Sequence, residues 1–473
     1  MNTPIDHLTP PPRSGFAKAW RRLRGRESEG ESVALATIPC LPVSAGCLET
    51  LDSPAAFRET LLALIASARR RILICALYLQ DDDAGREVLA ALYAARKAQP
   101  QLEIAVFVDW HRAQRGLIGK AKVPGNAALY RAMAEQLGPG VSIHGVPVQR
   151  RELMGVLHLK GFVIDDAVLY SGASLNDVYL NRHGRYRIDR YHLIRNEALA
   201  DCFAQLMTDV VRTSQAVNRL DTSVVPKTAE LRPAIARLRR QLASGGYAFA
   251  PATIGTGEVG VTPLLGLGVR ANELNQALLA LIRHARRRIV LFTPYFNLPG
   301  PLRRLVAKKI KSGCHVSIIL GDKTANDFFI PPDEPFKAIG ALPYLYEGNL
   351  RRFCKTHQRA IAAGTLNVYL WRHDNNTFHL KGMLVDNDYA LITGHNMNPR
   401  AWRLDLENGM LIHDPQKLLA AQHQAELERI LQHTTRLADH RQIPAVESYP
   451  PVVQRLLRRL ARIRIDRLVN HVM

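Results

Sequence analysis

Residues 155–166 read GVLHLKGFVIDD, and residues 379–387 read HLKGMLVDN. Both contain His-x-Lys-x-x-x-x-Asp: His158, Lys160 and Asp165 in the first, His379, Lys381 and Asp386 in the second. A small-residue turn carrying an asparagine follows each, with Ser174 and Asn176 after the first and Gly394 and Asn396 after the second. A single copy reads most simply as a core histidine and a surface lysine on one strand. Two copies with matching sequels predict two halves of one site that attacks a phosphodiester.

A second repeat moves with the motif. Residues 61–79 read LLALIASARRRILICALYL, and residues 278–296 read LLALIRHARRRIVLFTPYF. Each is an apolar-periodic helix, an arginine triplet and a buried strand. The helices are offset by 217 residues (61 to 278) and the histidines by 221 (158 to 379). That shared register predicts duplication of a whole α/β unit, with strands at 102–108 and 315–320 in corresponding places. The motif lines are also expected to be strands. The expected division is a poorly ordered basic segment 1–45, a first unit 46–216, a connection 217–262, a second unit 263–440 and a C-terminal helix 441–473.

Substitution at a phosphodiester needs a nucleophile, an acid for the leaving oxygen, and cations or donors for the other oxygens. One histidine can attack through a ring nitrogen while the other handles the proton. Side chains two apart on a strand share a face, which groups His158 with Lys160 and His379 with Lys381. Asp165 and Asp386 fall on the opposite face and read as organising residues. A working imidazole also needs its second nitrogen held. Glu407 is a candidate for one histidine and Asp189 a weaker one for the other. Asp109, His111, Arg112, Lys323, Asn326 and Asp327 sit at or just after predicted strand ends, where ligands or loop caps are equally expected. No metal or cofactor is required, because no Cys/His ligand cluster and no HExxH appears.

The length of 473 residues predicts two or three domains, and an apolar share of 47% predicts a large core. Six scattered cysteines without a CxxC pair suit a reducing cytoplasm. The N-terminus lacks the apolar core of a secretory signal, and no apolar run is long enough to span a bilayer. The net charge of +21 predicts a polyanionic partner, either nucleic acid or an anionic lipid surface. Near the N-terminus Phe16, Trp20 and Leu23 lie at helical spacing among basic residues. From 452 to 472, Val453, Leu456, Leu457, Leu460, Ile463 and Leu468 alternate with Arg455, Arg458, Arg459, Arg462, Arg464 and Arg467. Such a helix fits an anionic membrane surface, or else docks on the body with a solvated arginine face.

The doubled motif resembles the phospholipase D superfamily. Further strings, VDWHRAQRG (108–116), LYSGASLNDVYL (169–180), GDKTANDFFIP (321–331), EPFKAIGALPYLYE (334–347) and NPRAWRLDLEN (398–408), resemble its peripheral bacterial phosphatidylserine synthases. The resemblance implies two phospholipase-D-like α/β units packed pseudo-symmetrically around one active site. It implies CDP-diacylglycerol and L-serine as substrates, release of CMP, and a phosphatidyl-histidine intermediate. His158 is carried over as nucleophile and His379 as acid, then base. Lys160, Lys381, Ser174, Asn176 and Asn396 are carried over to the phosphate site. The implied setting is the inner face of the cell membrane, approached from the cytoplasm. Rival readings are a nuclease of the same superfamily, a lipid enzyme using water or another phospholipid as acceptor, and an inactive membrane scaffold. Basic residues paired with Leu/Ile faces, not with stacking aromatics, weigh against specific nucleic-acid binding.

Overall fold

The computed structural model describes residues 35–115, 125–331 and 333–462. Helices Pro54–Ser67 and Glu273–His284 open the two repeats. Both are capped the same way: Ser53 Oγ accepts from Ala56 N–H, and Asn272 Oδ1 accepts from Asn275 N–H. Phe57, Leu61 and Ile65 of the first, and Leu274, Leu278 and Leu281 of the second, are wholly buried. Burial of each such side chain contributes about 1.5–3 kcal/mol.

Each helix leads through its arginine triplet into a central strand, Arg71–Cys75 or Arg288–Phe292. Around these strands two sheets repeat one pattern. In the first the order is Ser142–Val146, Glu103–Asp109, Arg71–Cys75, Gly161–Ile164, Ala167–Ser171, Tyr191–Arg195. In the second it is Leu366–Trp371, His315–Gly321, Arg288–Phe292, Gly382–Val385, Tyr389–Thr393, Glu407–His413. Parallel pairing on one side of the central strand and antiparallel pairing on the other is common to both. The expected α/β duplication is therefore present.

The motif aspartates organise these repeats. The Asp165 carboxylate accepts from the backbone N–H groups of Arg69, Arg70 and Arg71 at 2.8, 2.8 and 3.1 Å. The Asp386 carboxylate accepts from Arg286, Arg287 and Arg288 at 2.7, 2.9 and 2.7 Å. Both aspartates adopt the left-handed conformation, with φ of 49° and 53°. Each thus closes a hairpin and ties the helix-to-strand turn of its own repeat. The recurring triplet matters here through its amides.

Several expected boundaries shift. Leu41–Ser44, inside the segment expected to be poorly ordered, is an edge strand of the second sheet, while Leu48–Leu51 joins the first. The expected connection 217–262 is not a simple linker. Asn218–Arg219 pairs with the first sheet, and Ala234, Ile235, Leu238 and Leu242 of helix Arg232–Ser244 join the first core. Glu258–Gly266 is already a strand of the second sheet. Val259, Val261, Leu264 and Leu265 are buried on both faces of this strand, which its Gly-rich preface concealed. The C-terminal helix Pro451–Arg462 docks through Val453 against Tyr344 and Tyr449, leaving Arg455, Arg458 and Arg459 exposed. The expected N-terminal amphipathic helix and the end of the C-terminal one lie outside the described residues, and nothing is assigned to the side chain of Arg462.

Candidate active site

The two motif segments are not regular strands at their reactive residues. Strand structure resumes only at Gly161 and Gly382. His158 and His379 lie just before, where each chain crosses to the opposite half. His158 N–H donates to Leu406 C=O at 2.9 Å, and His379 N–H donates to Ile188 C=O at 2.9 Å. Each histidine is therefore clipped to the backbone of the other repeat, at Leu406 just before strand Glu407–His413 and at Ile188 in strand Arg187–Ile188. Flanking Leu157, Leu159 and Leu380 are buried in the core, so the intervening His and Lys still share one face as expected.

The exchange extends to side chains. Glu407, next to Leu406, places Oε2 2.7 Å from His158 Nδ1. Asp189, next to Ile188, places Oδ2 3.4 Å from His379 Nδ1 and accepts from Lys381 Nζ at 2.7 Å. Tyr179 Oη lies 2.9 Å from the same Nδ1, and Lys381 Nζ also contacts it. Lys160 Nζ instead donates to Ser174 Oγ at 3.0 Å and to Ala173 C=O at 3.1 Å. Nε2 of His158 has no hydrogen-bond partner among the described residues, and Nε2 of His379 has only Asp327 Oδ2 at 4.0 Å.

Burial pushes both imidazoles well below the usual histidine range, and the neighbouring lysine of each motif adds to the effect. Both are thereby neutral near pH 7. Burial also lowers Lys160 to about 7, with Lys381 adding to it, and raises Glu407 to about 7 against the pull of His395 and Lys160. Such shifts mark a water-poor pocket where each remaining charge acts strongly.

The turns after the motifs match in a register different from that expected. Ala173 N–H donates to Ser171 Oγ, and His395 N–H donates to Thr393 Oγ1. Asn176 Oδ1 accepts from Tyr179 N–H at 3.1 Å, and Asn398 Oδ1 accepts from Ala401 N–H at 2.9 Å. Gly172 thus corresponds to Gly394, Ser174 to Asn396, and Asn176 to Asn398. Ser174 has an amide as its counterpart, so the second half keeps a polar group there, and Asn396 is not the partner of Asn176. Both glycines are needed for room. A Cβ on Gly172 would lie 2.6 Å from Asp189 Oδ2, and one on Gly394 would lie 2.9 Å from Lys160 Cγ.

Three residues escaped the sequence reading. Asn408 grips the Lys160 backbone on both sides, accepting from its N–H and donating to its C=O, each at 2.8 Å. Tyr179 sits on His379. Asn398 donates through Nδ2 to Tyr295 Oη at 3.1 Å. Only position beside Glu407 or within the repeated turn could have pointed to them. Of the strand-end candidates, Asp109 accepts from Leu157 N–H at 2.9 Å and is structural, holding the approach to His158. Lys323 pairs with Glu347. Among the described residues the group with metal-ligand spacing is Asp83, Asp177 and His183, which contains neither motif histidine.

A family model described as cardiolipin synthase, PLD-like domain, matches residues 278–431. The chain is 51% identical to the CDP-diacylglycerol–serine O-phosphatidyltransferase of Escherichia coli K12, over 93% of this chain and 97% of that one. It is 46% identical to the enzyme of the same name from Haemophilus influenzae, again over 93% and 97%. The crystal structure of phosphatidylserine synthase from Haemophilus influenzae superposes with a TM-score of 0.91 at 44% identity, covering 95% of this chain and all of that one. A chain with this duplicated site and these relatives belongs to the CDP-diacylglycerol–serine O-phosphatidyltransferases, the phosphatidylserine synthases of the phospholipase D superfamily.

Proposed function

We propose that the crossed histidines move the phosphatidyl group of CDP-diacylglycerol to L-serine by double displacement, with His158 as nucleophile. The unequal surroundings of the two Nδ1 atoms carry this assignment. Glu407 offers an acceptor, so His158 keeps its proton on Nδ1 and presents a lone pair at Nε2. Lys381 and Tyr179 offer donors to His379 Nδ1 at closer range than the Asp189 carboxylate, which stands 3.4 Å away and is taken up by Lys381, so the His379 proton resides on Nε2.

In the first step His158 Nε2 attacks the phosphorus that bears the diacylglycerol. The bond to the CMP oxygen breaks, and that oxygen takes the Nε2 proton of His379. Lys381 replaces it with a proton at Nδ1, so no imidazolate forms. In the second step the serine hydroxyl gives its proton to His379 Nε2 as its oxygen attacks phosphorus. The P–N bond breaks, its electron pair returns to His158, and Lys381 recovers its proton. Lys160, with Ser174 and Asn176 of the first turn and Asn396 and Asn398 of the second, supplies donors for the non-bridging oxygens. Phosphatidylserine leaves.

We place this reaction at the inner face of the cell membrane. The donor substrate is a lipid, the C-terminal helix presents Arg455, Arg458 and Arg459, and no helix among the described residues is long and apolar enough to cross a bilayer. The test is incubation with labelled CDP-diacylglycerol without serine. An acid-labile phosphoramidate on the peptide holding His158 is expected. Label on His379 reverses the roles, and turnover with no phosphoenzyme removes the mechanism.

A further inference from the structure

Resting on the serine acceptor just proposed, we infer that Asp327 and Arg187 form the subsite that reads the amino acid, Asp327 taking its ammonium and Arg187 its carboxylate. The other acids of the site are already engaged. Glu407 and Asp189 are 1% exposed and bound to His158 and to the His379–Lys381 pair. Asp327 differs: its side chain is 23% exposed, and Oδ2 stands 4.0 Å from the reactive Nε2 of His379. Its other oxygen, Oδ1, pairs with Arg187 at 3.0 Å. A cation and an anion, side by side and partly open, complement a zwitterion.

The position fits the chemistry. In serine the ammonium and the hydroxyl sit on adjacent carbons. An ammonium seated on Asp327 therefore brings the hydroxyl to His379 Nε2, the base that must take its proton. Arg187 is built to keep its charge. Burial works against it, but Asp327 and Tyr179 hold its pKa above the usual arginine value. It lies 4.8 Å over the Tyr179 ring, and its Nε donates to Thr377 Oγ1 at 3.2 Å. Asp327 is fixed by its neighbour: Asn326 is buried, and its Oδ1 accepts from Phe328 N–H at 2.9 Å. The subsite spans both halves, since Arg187 pairs with Thr377, two residues before His379. Water and simple alcohols carry neither charge, so the pair would favour serine over them.

The full-length enzyme in mixed micelles, with Asp327→Asn and Arg187→Lys variants, tests this. Two rates are compared: serine-dependent phosphatidylserine formation, and serine-independent exchange of labelled CMP into CDP-diacylglycerol. Loss of the carboxylate charge in Asp327→Asn, and of the planar guanidinium fork in Arg187→Lys, should each raise the KM for serine roughly 10- to 100-fold. The serine reaction should fall well beyond any fall in CMP exchange. With glycerol, an acceptor lacking the ammonium, the preference for serine should narrow by a similar factor in Asp327→Asn. Equal loss of exchange and of serine transfer would assign Asp327 to positioning His379 and overturn the subsite, as would an unchanged KM. If the unaltered enzyme forms its product without need of serine, the acceptor reading itself falls instead.

Discussion

Glu407 Oε2 lies 2.7 Å from Nδ1 of His158, across 249 residues of chain and across the boundary between the two repeats. Asp189 and His379 repeat the crossing in the opposite direction at 3.4 Å, with Lys381 bridging carboxylate and ring, so neither half holds a working histidine alone. Replacing Glu407 by Gln keeps the volume but removes the charge that steadies the Nδ1 proton. Single-turnover CMP release should slow by at least roughly 10- to 100-fold, because the Nδ1 proton and the ring orientation are no longer held by a carboxylate. Release at the normal rate would mean that Glu407 does not prepare the nucleophile.

Gly172→Ala should disable the second histidine without unfolding the chain. The added Cβ would sit 2.6 Å from Asp189 Oδ2 and 2.8 Å from Lys381 Nζ. The cluster must move, and misplacement by about 1 Å costs on the order of 100-fold in rate. Gly348→Ala, in helix Leu342–Thr356 with open space around it, is the control and should keep full activity. Circular dichroism and turnover on both variants check the contrast.

The halves are also joined by a buried ion pair. Arg190 Nε and Nη2 donate to the two Glu426 oxygens at 2.7 and 2.6 Å, with both side chains nearly inaccessible. Arg190→Met would leave the Glu426 carboxylate buried and unpaired, a loss of about 3–5 kcal/mol. Joint replacement by Arg190→Met and Glu426→Leu should recover most of it. Denaturant midpoints of the single and double variants measure this, and equal midpoints would contradict it.

Stability should fall in acid through buried neutral histidines. Burial lowers His192 to about 3 and His395 to about 4, against an unfolded value near 6.5. Below 6.5 the unfolded chain binds the extra protons. Stability is therefore complete above that pH and drains away as pH falls toward 4. Each histidine contributes about 1.4 kcal/mol per pH unit in that window. Urea midpoints at pH 7.5 and 5 should diverge less in His192→Gln than in the unaltered protein. An identical slope would exclude His192 as a contributor.

The exposed arginines of the last helix should set membrane affinity. Val453 is part of the body's packing, so truncation would disturb the fold, whereas Arg455, Arg458 and Arg459 face solvent. Changing all of them to Gln should cost about 3 kcal/mol of attraction to an anionic surface, roughly a 100-fold weaker partition. Flotation with anionic vesicles reads this directly. Unchanged flotation would move the docking surface elsewhere.

Much of this molecule was legible along the chain because local physics writes it there. Period-2 and period-3.6 patterns, repeated at offsets of 217 and 221 residues, determined the α/β duplication and the pair of His-Lys motifs. Asp165 and Asp386 could be set aside as organisers from strand alternation alone. The turn register was misread, since Asn396 and Asn398 are both asparagines two apart, and only their hydrogen bonds tell which matches Asn176. What tertiary structure alone decided is the crossing: His158 meets Glu407, His379 meets Asp189, and Asp327 reaches Arg187. Spacing within one repeat says which side chains share a face. It does not say which face of the other repeat comes to meet them, because that depends on how two sheets pack, and no local periodicity encodes it.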